Sequence, residues 1–164
     1  MATSLSATHQ FSATPASVYA LFTDRSFLQA RLEAGGGQNP SVVSLDVNGD
    51  KATVVIRQSI PASALPSMVA SMISGDPVTE RTENWHADGE GYRADFAVVI
   101  KGAPAGFKGT MSLTPSAGGS TLSVDGRAEV PIPLFGGKIE AVVVEQVDAI
   151  LVKENAYTER ALSA

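Results

Sequence analysis

Apolar and polar side chains alternate along most of residues 4 to 130, and beyond residue 133 the apolar spacing widens to three and four positions. The first pattern is that of half-buried strands and the second that of a helix. In residues 4 to 11, Leu5, Ala7, His9 and Phe11 share one face against Ser4, Ser6, Thr8 and Gln10. Thr14-Pro15, a capping residue followed by a proline suited to the first helical position, then opens a helix carrying Val18, Tyr19, Leu21 and Phe22. Asp24 caps a second short helix with Phe27, Leu28, Arg31 and Leu32, which Gly35-Gly36-Gly37 ends.

Hairpin signals follow. Strand two over about 41–48 and strand three over 51–60, with Val54, Ile56 and Ile60 in phase, flank the turn Asn48-Gly49-Asp50. After Pro61, the apolar residues Leu65, Met68, Val69, Met72 and Ile73 recur at helical steps as far as Gly75 and predict a short amphipathic helix. Strands four (77–87) and five (91–100) flank Asp88-Gly89, and strands six and seven flank Ala117-Gly118-Gly119. The stretch PLFGGKIEAVVVEQVDAILVKENAYTERAL, residues 133 to 162, reads as one helix entered through a double glycine. Roughly 25 residues of helix would run about 40 Å at 1.5 Å per residue. Its stripe of Ile139, Val143, Val147, Ile150 and Leu151 needs an apolar cover, while Glu140, Gln146, Lys153 and Arg160 fall mostly off it. The inward faces of strands five to seven supply that cover, and their small residues Ala94, Gly109, Gly126 and Ala128 leave volume or let the sheet bend.

The order is one strand, two short helices, six strands with one helical interruption, and a long terminal helix. Together with "FSATPASVYALFTD" near the start and "VPIPLFGGKIEAVVVEQV" at the entry to the last helix, it resembles the START-like helix-grip (SRPBCC-type) superfamily. That superfamily includes the birch-pollen-allergen proteins and polyketide cyclases. The runs "TERTENW", "AGFKGTMSLTP" and "PLFGGKIE" are similar to an actinobacterial family of unassigned function within it. The resemblance covers essentially the whole chain and implies an α+β helix-grip fold: a seven-stranded curved antiparallel sheet wrapped around the C-terminal helix, with apolar molecules held between the two. These motifs are structural and none is a catalytic signature.

Composition narrows the partners. At 164 residues the chain fits a single domain, 1–164, able to bury a substantial core. The formal net charge is -5 with 12 scattered Lys and Arg, which removes the basic footprint of a nucleic-acid binder and disfavours acidic membranes. With no cysteine and two histidines 77 positions apart, no metal-ligand spacing arises. No cofactor is expected. No apolar run approaches the ~20 residues that span a bilayer, and the N-terminus lacks a basic, apolar leader, so a cytoplasmic protein without membrane insertion is predicted.

The candidate ligand contacts are His9, Gln58, Met68, Met72, Trp85, Phe96, Met111, Val124, Val143 and Val147, each weighed against a plain core role. The methionine-bearing segment can act as a lid, since methionine adapts to varied apolar shapes, or simply cap the end of the sheet. His9 shares parity with Leu5 and Phe11, and a buried, neutral, hydrogen-bonded histidine explains it without a catalytic role. His86, before a turn, is expected at the surface.

Strand four is the oddity, because Thr79, Arg81, Glu83 and Trp85 share one face and Glu80, Thr82, Asn84 and His86 the other. Whichever face turns inward carries charge that must be paired, near an opening, or in contact with a ligand, unless the strand lies near a wet edge. Glu154 and Tyr157 can reach the interior late in the last helix. There is no G-x-S-x-G elbow and no phosphate loop, and no catalytic residue is assigned. The leading reading is a binding or carrier protein for an apolar small molecule, lipid or polyketide-like. The others are a cyclase or dehydratase in which His9, Arg81, Glu83 or Tyr157 transfers protons, and an interaction module with a vestigial cavity.

Overall fold

The computed structural model describes residues 2–35, 37–65, 67–71 and 75–164, with the side chains of residues 64, 68 and 69 outside the description. Seven strands form one antiparallel sheet in the order β1-β7-β6-β5-β4-β3-β2. They are β1 (Ala2–Phe11), β2 (Gln38–Asn48), β3 (Lys51–Ser59), β4 (Val78–Asp88), β5 (Gly91–Ile100), β6 (Gly106–Ser116) and β7 (Gly119–Glu129). The helices are α1 (Pro15–Phe22), α2 (Arg25–Ala34), α3 (Ser67–Ala70) and α4 (Gly136–Ser163). The helix-grip architecture expected from the sequence is therefore present. The 28 residues of α4 run about 42 Å at 1.5 Å per residue.

The local signals behave as their chemistry requires. Thr14 Oγ1 accepts from Ser17 N at 3.3 Å and Asp24 Oδ1 from Phe27 N at 2.9 Å, so each short helix starts at a side-chain cap. Gly49 and Gly89 take positive φ (61° and 60°) at the tips of their hairpins, where a Cβ would be strained. Strand β2 lies at an edge and is bulged between Val42 and Ser44. Helix α2 covers it there: Gln29 bonds Pro40 O and Val42 N, and Arg25 Nη2 donates to Val42 O at 2.8 Å. Those bonds satisfy backbone groups that a bare edge would offer to another chain.

The helical interruption expected after β3 is present in part among the described residues. A single 3-10 turn at Ala62–Ala64 is followed by the four residues of α3, and residues 72–74 of the predicted helix lie outside the described residues. The excursion is pinched at its base by Ile60 N donating to Pro77 O at 3.0 Å and Ala62 N donating to Asp76 Oδ1 at 2.9 Å.

The glycines of β6 and β7 serve close approach, not open volume. Gly109 stands opposite Gly126. A Cβ on Gly109 would overlap the backbone at Asp125 and Gly126, and one on Gly126 would overlap the Phe107 ring. The strands meet tightly where the sheet curls.

Candidate functional site

Register decides which inward residues line a cavity and which are core. One row across the sheet runs Trp85, Ala94, Met111, Val124 and Ala7, each directly opposite the next. Helix α1 fills the concave side there: the Phe22 ring lies 5.6 Å and the Tyr19 ring 6.3 Å from Trp85, and Tyr19 stacks on Tyr92 at 3.9 Å. Toward the other end the rows are Val54–Glu83–Phe96, Ile56–Arg81–Val98 and Gln58–Thr79–Ile100. Helix α4 packs chiefly against β1 and β7, with lighter contact on β6. It stands off β3–β5 and the Gly106–Phe107 end of β6, and the cavity occupies that gap.

The sheet wall is made by Ile56, Gln58, Thr79, Arg81, Phe96, Val98, Ile100 and Phe107. The facing wall is Val143, Gln146, Val147, Ile150 and Leu151 of α4, with Ile60, Leu65 and Gly106 at the rim. Only Gln58, Thr79, Arg81 and Gln146 among these carry polar side chains. Phe96 and Ile100 are buried, whereas Val98 between them on the same face, also in the cavity wall, is half-buried. Empty space amounts to about 750 Å³ counted out to the mouth, but the centre of a water-sized sphere reaches only about 60 Å³ of it. The site is a narrow, mainly apolar slot.

Of the residues singled out from sequence, Gln58, Phe96, Val143 and Val147 line the slot. Trp85, Met111 and Val124 sit in or beside the row that α1 fills and are buried core. His9 is half-buried on β1, opposite Leu122 and away from the slot. Met72 and the Met68 side chain lie outside the described residues. Val98 and Ile100 share the parity of Phe96, and Phe107 that of Met111, but parity alone does not show that they stand beneath the gap. Glu140 and Gln146 turn inward despite falling off the apolar stripe: Gln146 lines the slot, and Glu140, 1% exposed, accepts from Thr3 Oγ1 and Val130 N at 3.1 Å each. His86 is half-buried.

Strand β4 is interior to the sheet, between β3 and β5, and turns its Thr79, Arg81, Glu83, Trp85 face inward. The charges it buries form a closed cluster. Arg81 Nη2 donates to Glu154 Oε1 on α4 at 2.9 Å, and Arg81 Nε lies 3.1 Å from Glu83 Oε2, within ion-pair range but off the line of a good hydrogen bond. Arg31 of α2 brings Nη2 to 3.7 Å from Glu154 Oε1 and spreads its guanidinium over Phe22 at 5.1 Å. Trp85 Nε1 donates to Glu83 Oε1 at 3.0 Å. Two guanidiniums and two carboxylates thus bind α2, β4 and α4 together with no net charge. Burial alone would raise the Glu154 carboxyl, but Arg81 and Arg31 outweigh it and hold the group below its ordinary value. Burial likewise works against the Arg81 charge and is overcome by Glu154 and Glu83.

Other candidate acid–base groups lie elsewhere. His9 is lowered by burial, partly offset by the Asp148 carboxylate. Tyr157 packs on Phe27, ring centres 5.7 Å apart, at the far end of α4. Among the described residues no cluster of three metal-ligating side chains forms, and no helix is long and apolar enough to cross a membrane.

Comparison with known proteins agrees with this architecture. The family described as "Protein of unknown function (DUF2505)" matches residues 6–162. An uncharacterized protein of Mycobacterium tuberculosis and one of Mycobacterium bovis are each 30% identical over 149 residues, 86% of either chain. Among solved structures, a protein of Thermus thermophilus superposes with a TM-score of 0.63 at 20% identity, covering 97% of this chain and 99% of that one. The Streptomyces ZhuI aromatase/cyclase gives 0.61 at 9% identity, with 99% and 94% covered. A START superfamily protein of Mycobacterium smegmatis gives 0.59 at 12% identity, with 96% and 98% covered.

Proposed function

The chain belongs to the family described as Protein of unknown function (DUF2505) and has a START-like fold, and from that premise we propose that it binds and carries an apolar small molecule, lipid or polyketide-like, in the slot between α4 and β3–β6. In this reading residues 1–164 act as one ligand-binding domain in the cytoplasm. The observation that carries it is that the slot is lined by apolar side chains, of which Val98, Val147 and Ile150 stay half-buried, on a concave face that α1 fills elsewhere. Such surface is unfavourable against water at about 25 cal/mol per Å², so an apolar occupant gains what the protein's own side chains leave unused.

A cyclase or dehydratase would need free acid–base groups facing the substrate. His9, Glu83 and Tyr157 do not line the slot, and Arg81, which does, is held by two carboxylates. Carriage is therefore favoured over catalysis.

The test is titration with a neutral apolar dye such as Nile red, whose emission rises on leaving water. Saturable binding to one site, lost in Val147→Trp because the indole fills the slot, is the expected result. Binding that Val147→Trp leaves unchanged would place the dye elsewhere and contradict the proposal.

A further inference from the structure

We infer that the slot selects a neutral ligand with a hydrogen-bonding oxygen, such as a ketone, ester or alcohol, and discriminates against a carboxylate, because the guanidinium in its wall, Arg81, belongs to a charge cluster that is already balanced. The inference rests on the proposed ligand-binding role of the slot. Arg81 is the only charged residue of the described wall. About a tenth of its side chain stays open, and two carboxylates, Glu154 at 2.9 Å and Glu83 at 3.1 Å, already face it. With Arg31 the cluster sums to zero. A fatty-acid carboxylate arriving at Arg81 would add an unmatched negative charge in a site where the counted groups are nearly out of water.

A purely apolar ligand is also a poor fit. Gln58 stands opposite Thr79 on β3, one inward position from the Ile56–Arg81 pair. It is 8% exposed and lines the slot, its Oε1 lies against Gly37, and no hydrogen bond between described residues uses its amide nitrogen. Covering it with hydrocarbon would leave a buried amide unpaired. A neutral oxygen between Gln58 and Arg81 accepts from both and adds no charge, while the alkyl or ring body lies along Val143, Val147 and Phe107.

Matched probes test this: laurate, methyl laurate and dodecane, each competed against Nile red at neutral pH. Methyl laurate should bind at least about tenfold tighter than laurate and about threefold to tenfold tighter than dodecane. Any apolar pocket favours an ester over a carboxylate, so the deciding arm changes the cluster. Glu154→Gln leaves one positive charge in excess, and laurate should then overtake methyl laurate. Glu83→Gln makes the same change from β4 and serves if Glu154→Gln does not fold. Gln58→Leu should bring methyl laurate down to the affinity of dodecane. Laurate still disfavoured in both charge variants, or methyl laurate unaffected by Gln58→Leu, overturns the inference while leaving the slot a binding site. Failure of all three probes to bind the wild type overturns the container reading and the inference with it.

Discussion

Replacing Glu154 by leucine would remove the carboxylate that joins α4 to two guanidiniums, Arg81 at 2.9 Å and Arg31 at 3.7 Å, while keeping a side chain of similar bulk. Arg81 would keep Glu83 at 3.1 Å, but the cluster would hold one positive charge too many where the side chains are 10% exposed or less. Removing one partner of a buried pair costs about 3–5 kcal/mol, because the other charge is left desolvated. Against a total of about 5–15 kcal/mol for a domain this is a large share. At roughly 2–4 °C per kcal/mol for a chain of this size, the melting temperature should fall by about 6–20 °C. Urea unfolding followed by Trp85 fluorescence measures the free-energy loss, and thermal melting followed by circular dichroism the temperature shift. Arg81→Met together with Glu154→Leu restores neutrality, leaving Arg31 and Glu83, and should recover at least half the loss. A Glu154→Leu variant within about 1 kcal/mol of wild type, or a double variant less stable than the single, would refute the view that these groups are bound by mutual charge compensation.

Acidification gives a second check. Glu154 is depressed below its ordinary 4.5, so its contribution is complete above pH 4.5 and is lost as pH falls through the lower folded value. His9 is depressed below 6.5, so the unfolded chain takes up its proton first and stability declines as pH falls below 6.5; His9→Gln should flatten that limb alone in pH-dependent melting curves. Gly109→Ala drives a Cβ into the β7 backbone and should cost more than about 2 kcal/mol by chemical denaturation. Leu134, 95% exposed with φ of 71°, holds a left-handed conformation with no packing to offset it; Leu134→Asn should raise stability by up to about 1 kcal/mol in the same assay.

The succession of elements, the hairpins and the helix starts were legible because each rests on neighbouring residues, whereas the pairing of β1 with β7 does not. Asn48-Gly49 and Asp88-Gly89 dictate turns, and Thr14 and Asp24 cap the helices they precede. The slot was legible only in part, because alternation fixes the face of a strand and not the place along it where a helix stands off. Met111 and Phe107 share parity on β6, yet Met111 lies beside α1 and Phe107 lies under the gap. Polarity misassigned Glu140 for a related reason. Its partners Thr3 and Val130 come from β1 and from the residue just after β7, so nothing on α4 itself marks it as inward. The inward face of β4 was undecidable from either face's composition; Glu154, 73 residues away, settles it by pairing with Arg81.

An apolar molecule is expected in the slot between α4 and β3–β6. Native mass spectrometry of the protein purified from its native host tests that most directly. A discrete mass excess should appear that organic extraction removes, and that Val143→Trp, whose indole enters the slot, does not carry. Wild-type protein at its bare polypeptide mass, unchanged after incubation with lipid extract of that host, would contradict it.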